Sequence, residues 1–266
     1  MAFLYYILLG SVAGTLAGLL GVGGGLVIVP VLVYLFQQQG FAPEVLTHMA
    51  VGTSLATIVL TSISSIRTHH AHGAVQWAIF KQLIVGIVMG SLLGAVLANF
   101  IHGPWLQVMI GIFALVVAVQ MGFEIKPQAR RPLPSARGMF ASGGLIGSIS
   151  ALFGIGGGSV TVPLLTRFSV PAQQAVATSA ACGLPIAISG SLGFIVTGWG
   201  QAQLPALSFG YIYLPAFLGI VLSSTLFAIL GARWAHQVSA STLKKIFALL
   251  LLVIGLRLVA SGGVLV

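Results

Sequence analysis

Apolar residues run along this chain in eight long blocks, separated by short polar or glycine- and proline-rich stretches. The blocks cover about 3–36, 45–66, 78–101, 104–123, 138–168, 172–197, 206–231 and 241–260. A helix crossing a bilayer needs about 20 apolar residues, and six of the blocks match that length. The first and fifth are too long for one span. Each contains a glycine run, Gly21 with Gly23–Gly25 and Gly154 with Gly156–Gly158. Glycine costs about 1 kcal/mol against alanine inside a helix, so each run predicts either a broken helix or a span followed by a re-entrant half-helix. Seven to ten membrane elements fit the pattern. The predicted fold class is an all-α polytopic membrane protein with broken or re-entrant glycine-containing helices.

The polar stretch EIKPQARRPLPSAR, residues 124–137, holds three prolines and four basic residues and reads as a linker. It divides the chain into a first transmembrane repeat, 1–123, and a second, 138–266, of about four membrane segments each. The two halves align. GLLGVGGGLVIVP (18–30) matches ALFGIGGGSVTVP (151–163) at an offset of 133 residues, and AVGTS (50–54) matches AVATS (175–179) at an offset of 125. Blocks matched in the same order point to an internal duplication. Eight passes would place Arg67, Lys81, Lys126, Arg130, Arg131, Arg137 and Arg257 on one side and Arg167, Arg233, Lys244 and Lys245 on the other. That seven-to-four division favours cytoplasmic termini. An even number of passes per half makes the repeats parallel, and an odd number makes them inverted.

Composition supports the same class. The chain is 58% hydrophobic with 5% charged residues, where a soluble domain carries about 25% charged residues. The net charge of +9 would suggest nucleic acid in a soluble protein. Here the basic residues fall mostly between apolar blocks, so it reads as a topology signal and no nucleic-acid partner is expected. The one cysteine, Cys182, lies in an apolar block and excludes both an intrachain disulfide and a cysteine metal cluster. No cofactor is expected.

The candidate chemistry is that of an anion site. Unwound backbone at membrane depth is tolerated only inside the protein or beside water. A helix restarting after such a break points free N–H groups and a positive dipole end back at it. The amides around Gly23, Gly24, Gly25, Gly156, Gly157 and Gly158, with the hydroxyls of Thr53, Ser54, Thr178 and Ser179, are the expected substrate-binding groups. The competing reading is close helix packing for the glycines and bonding within their own helix for the hydroxyls. Ser159 and Thr161 are weaker candidates, because Leu26 and Ile28 replace them in the first repeat. His48 lies near the start of a span and, with Arg67 and Lys81, is a candidate for attracting or gating an anion. RTHHAHG (67–73) reads as a basic cytoplasmic loop, and a metal site on His69, His70 and His72 is disfavoured for want of a nearby cysteine or carboxylate. There is no aspartate, and neither Glu44 nor Glu124 lies mid-span. Carboxylate-based coupling or catalysis within the membrane is therefore not supported.

GLLGVGGGLVIVPVL, AVGTSLATI, ALFGIGGGSVTVPLL and AVATSAAC together resemble the TauE/SafE family of membrane permeases, over essentially the whole chain. The resemblance implies a secondary transporter of small sulfur-containing anions such as sulfite, sulfonates or sulfoacetate, with export as its direction, through a central site between the repeats. It also implies residence in a bacterial inner membrane with lipid and a small anion as partners; an oligomer is compatible with it. The alternatives are a carrier of another small anion or a neutral solute and, from another class, an intramembrane enzyme. GFIVTGWG (193–200) lacks the basic residues of SIRTHHAHG (65–73), so only the first half can supply those.

Overall fold

A computed structural model describes residues 2–20, 24–123, 132–234 and 240–264. Among them are ten helices: α1 (Ala2–Leu20), α2 (Gly25–Gln38), α3 (Pro43–Ala71), α4 (Trp77–Phe100), α5 (Gly103–Gly122), α6 (Ala136–Phe153), α7 (Gly158–Arg167), α8 (Ala172–Gly198), α9 (Leu214–Trp234) and α10 (Ala240–Val264). Two short strands, β1 (Ser208–Phe209) and β2 (Ile212–Tyr213), pair antiparallel between α8 and α9. Five helical stretches are long and apolar enough to cross a bilayer: Pro43–Ala71, Trp77–Phe100, Gly103–Gly122, Ala172–Gly198 and Lys244–Gly263. The outer surface is apolar as well, with Leu93, Leu97, Val116, Leu145, Val196 and Leu226 all exposed. Lipid accepts such a surface and leaves backbone groups no alternative to helical bonding.

Both overlong blocks are broken at their glycines, α1 from α2 and α6 from α7. The first pair folds back on itself: the Tyr6 hydroxyl donates to Gln39 Oε1 at 2.9 Å, so α2 returns to the end where α1 begins. RTHHAHG is not wholly a loop, since α3 runs on through Ala71. The linker is shorter than its sequence suggests. Residues 136 and 137 already belong to α6, whose Ser135 cap accepts from the Gly138 amide, and residues 124–131 lie outside the described part.

The directions of the packed helices follow from which residues face each other. On α3 and α8, Gly52 faces Phe194, Leu55 faces Gly190 and Ser62 faces Gly183, so the two run antiparallel. On α5 and α10, Gly111 faces Gly255 and Leu258 while Gly262 faces Pro104 and Val108, again antiparallel. By contrast α1 and α9 run in the same direction, with Gly219 against Tyr6 and Gly14 against Ser224. So do α4 and α6, with Gly86 against Phe140 and Gly94 against Ser148. The segments carrying AVGTS and AVATS thus oppose each other, contrary to the parallel relation expected from eight passes. A block that returns to its starting end adds no crossing, so three full-length helices determine the net direction of each half.

The same geometry redistributes the basic residues. Arg67, Lys81, Arg137, Arg167, Lys244 and Lys245 lie at one end of the bundle, where α3, α5 and α7 finish and α4, α6, α8 and α10 start. Arg257 lies toward the other end, with Tyr6, Gln39, the β-hairpin and Gly262. The seven-to-four division does not survive.

Helix seams are built on small residues, which let backbones approach without a side chain between them. A Cβ on Gly90 would collide with the carbonyl of Gly144 on α6. Gly90→Leu is expected to cost about 1–3 kcal/mol, as overpacking does, measured as thermal unfolding in detergent. The lipid-facing Leu93→Ala, one turn away, is the control and should change little.

Candidate functional site

The α6–α7 break lies at the middle of the bundle. Gly154 ends α6 in the left-handed conformation, φ 69°. The Ile155 amide behind it bonds back to the Ser150 carbonyl at 2.9 Å, the glycine-terminated helix end that satisfies orphan carbonyls. Gly157 is also left-handed, φ 80°, and caps the start of α7 with no side-chain bond. Both positions require backbone angles that other residues adopt only at a cost. The amides of Val160 and Thr161 bond to the Gly157 carbonyl. Those of Gly158 and Ser159 have no partner among the described residues, as expected of the first turn of a helix.

This break touches the first half directly. A Cβ on Gly25 would stand 2.5 Å from the Gly154 carbonyl oxygen and 2.9 Å from Ile155 Cα. The Ser54 hydroxyl, on α3, donates to the Gly154 carbonyl at 2.8 Å and is fully buried. On α2, Gly24 is the uncapped N-terminal residue, and its carbonyl accepts from Val27 and Ile28. Since α2 leads away to Gln39 and α7 to Arg167, two helix N-termini start close together from opposite directions. Their positive dipole ends add in the same place.

Two further hydroxyls belong to this place. Ser150 Oγ and Thr161 Oγ1 are fully buried and have no hydrogen-bond partner. Both lie beside Gly157, within 3.4 Å (Thr161) and 3.7 Å (Ser150) of where its Cβ would be. An unpaired buried hydroxyl costs about 1–3 kcal/mol, so a pair facing one glycine suggests a polar guest. Sequence reasoning ranked Thr161 low and missed Ser150. The signal was there in spacing: Ser150 lies one helical turn before Gly154, but nothing local says that its hydroxyl goes unused.

The other expected ligands are distributed differently. Gly156 lies at the break against Ile58, and its carbonyl faces Gly183 of α8. Thr53 Oγ1 accepts the Tyr213 amide at 3.0 Å, and Thr178 Oγ1 accepts the Gln76 amide at 3.0 Å. The matched threonines therefore do matched work: each ties the connection that follows the opposing helix, α8–α9 for Thr53 and α3–α4 for Thr178. Ser179 donates to Val176 of its own helix at 2.8 Å. The four hydroxyls are not gathered round one point. Gly23 lies outside the described residues. His48 is buried, with Nδ1 on the Glu44 carbonyl at 3.0 Å and Nε2 on the carbonyls of Ala98 and Ile101 at 2.9 and 3.1 Å. It stacks on Tyr211 and pins the start of α3 to the α4–α5 corner. Arg67 and Lys81 are exposed at the basic end.

A helical membrane bundle with paired broken helices meeting at its centre defines a class, the polytopic transporters with discontinuous helices. The chain belongs to the TauE/SafE family: the family model described as Sulfite exporter TauE/SafE matches residues 6–258. A "Probable membrane transporter protein" of Haemophilus influenzae is 42% identical over 260 residues, covering 95% of this chain and 96% of the relative. "Probable membrane transporter protein YunE" of Bacillus subtilis is 28% identical, covering 98% and 99%. "Probable membrane transporter protein MJ0441" of Methanocaldococcus jannaschii is 29% identical, covering 94% and 92%. No solved structure matches. The protein is a membrane transporter of this family.

Thr53→Val and Thr178→Val each strip an acceptor from a backbone amide in a tied connection. Each is expected to cost about 1–3 kcal/mol in thermal unfolding. A double variant that loses the sum of the two would agree with ties lying far apart.

Proposed function

We propose that this transporter carries a small oxyanion, bound between the two glycine breaks. The observation that carries the reading is the pair of unpartnered hydroxyls, Ser150 and Thr161, beside the amides that open α7. An anion there would be held by uncharged donors and helix ends. Such donors neutralise charge without binding so tightly that release fails. The name of the matched family, Sulfite exporter TauE/SafE, supports sulfite as a substrate and export as the direction, and sulfonates share the oxyanion chemistry. An interior-negative potential favours anion exit by about 2.3 kcal/mol per charge per 100 mV, so export needs no coupling carboxylate.

The test is labelled sulfite flux in vesicles containing the purified protein, with taurine, sulfoacetate and carboxylates as competitors. Ser150→Ala with Thr161→Ala is expected to cut flux at least about tenfold, a loss of 1.4 kcal/mol or more, without lowering the melting temperature. Replacing an unpaired buried hydroxyl costs no hydrogen bond. Full flux in the double variant would refute the site, and lost stability would make the hydroxyls structural.

We also propose that the halves are inverted repeats, related by an axis in the membrane plane, on the strength of the opposed α3 and α8 and the opposed α5 and α10. Among the described side chains six basic ones lie at one end and Arg257 toward the other, and that excess of positive charge favours the first end in the cytoplasm. Both termini then lie on the far side, the reverse of the expectation from eight passes. In a Cys182→Ala background, an impermeant maleimide should label Gln201→Cys in intact cells and His72→Cys only after permeabilisation. The opposite pattern would restore cytoplasmic termini.

A further inference from the structure

The glycine breaks leave one polar feature of the membrane region unused. Arg257 lies within the span Lys244–Gly263, six residues from its end or about 9 Å along the helix. Its side chain is partly open to the surroundings, and at this distance from the helix end an arginine can bring its head group toward the interface while its stem stays on apolar surface. No carboxylate among the described residues meets its guanidinium. It stands 4.0 Å over the ring centre of Tyr34 on α2, and no acidic residue lines the cavity beside it. That cavity, about 90 Å³, lies between α2 and α10 and is bordered by Tyr34, Gln37, Arg257 and Ser261. A buried polar chain backs it: Gln37 Nε2 donates to Gln107 Oε1 at 3.3 Å, and Gln107 Nε2 donates to Ser261 Oγ at 2.7 Å and to the Leu258 carbonyl at 3.2 Å. Gln107 is wholly buried and so holds both neighbours in fixed positions.

The cavity also points somewhere. A smaller void, about 10 Å³, borders the same Pro30 and continues down α2 past Val29 to Gly25 and Ile155. From Tyr34 to Gly25 is nine residues, about 14 Å of helix. The two voids are separate but lie along the same face of α2, with Pro30 bordering both.

We propose that Arg257, with Gln37 and Ser261, forms a second oxyanion-binding station at the terminal end of the bundle. Tyr34 holds the guanidinium in place by a cation–π contact until an anion takes it. A planar fork of five donors on a weakly hydrated cation suits a sulfite-, sulfonate- or phosphate-type group. Its place on a substrate route rests on the anion-carrier reading, whereas the binding itself does not. The shared chemistry admits two sources, a dissolved oxyanion or an anionic lipid headgroup.

The experiment is equilibrium binding of labelled sulfite to the purified full chain in a lipid-free zwitterionic detergent at low ionic strength, with Arg257→Gln, Arg257→Lys, Tyr34→Leu and the Ser150→Ala/Thr161→Ala double variant beside the native protein. The native chain is expected to show two components. Arg257→Gln should weaken one at least about tenfold, Arg257→Lys should restore part of it, and the double hydroxyl variant should leave it unchanged. Tyr34→Leu should keep it, because the tyrosine holds the arginine rather than the anion. A second arm measures melting temperature in nanodiscs with and without phosphatidylglycerol: stabilisation that Arg257→Gln abolishes, without a sulfite component, assigns the station to a lipid headgroup. The proposal is overturned if Arg257→Gln changes neither readout, or if Arg257→Gln and Tyr34→Leu lose binding and melting temperature together, as a mere strut would. Absent flux in vesicles with Arg257-dependent binding intact would count against the carrier reading and leave the station standing.

Discussion

Everything at the centre of this protein depends on one constraint: a backbone that leaves the helix inside a membrane must find partners for its amides and carbonyls within the protein. At the α6–α7 break, several carbonyls find such partners. The Ser150 carbonyl is used by Ile155, the Gly157 carbonyl by α7, and the Gly154 carbonyl by Ser54 from the other half of the chain. The first amides of α7 and the hydroxyls of Ser150 and Thr161 have no partner among the described residues. Free amides and hydroxyls at a helix start are the groups that the proposed oxyanion would use. No carboxylate or lysine occurs in the segments that meet there, residues 24–38, 45–66 and 144–165.

The Ser54 bond also explains why the halves have to act together. It is the one side-chain tie seen between AVGTS and the opposing break, and it sits where Gly25 presses on Gly154. Moving α3 away from the end of α6 would strain or break this bond. The neighbouring seams, α1 with α9 and α4 with α6, are glycine-lined and backbone-close. They favour rigid sliding over side-chain rearrangement. Each seam joins a helix of one half to a helix of the other, so neither half can shift without carrying part of its partner.

Much of this was legible in the sequence. The helical class, the two broken blocks and the importance of Gly154 and Gly157 all follow from apolar length and from where glycine interrupts it. These are local properties, set by solvent and by the backbone angles of single residues. What the sequence concealed was every long-range partner. Ser54 finds a carbonyl 100 residues away, and Thr53 finds an amide 160 residues away. Nothing in GTS or ATS distinguishes a hydroxyl that binds a solute from one that ties a loop. The direction of the halves was hidden for a related reason. Whether a broken block crosses the membrane or returns depends on the contact of Tyr6 with Gln39, and the count of basic residues on each side changes with it.

The proline that follows each glycine run links these points. Pro30 lies inside α2 and Pro163 inside α7. A proline within a helix removes the bond to the carbonyl four residues earlier and lets the helix bend there. The freed carbonyls are those of Leu26 and Ser159, within the first turns after the breaks. Each short helix is therefore weakest beside its break and firmer at its far end. On α2, the far end is gripped by Tyr6 through Gln39 and by the ring cluster of Phe36, Phe41 and Tyr213. A segment anchored at one end and hinged near the other can move its glycine tip while its outer end stays put. In α2, that tip is the surface lying against Gly154. The cavity at Arg257 opens on the same helix between the anchor and the hinge. The proline that loosens the tip of α2 also borders both voids along that helix.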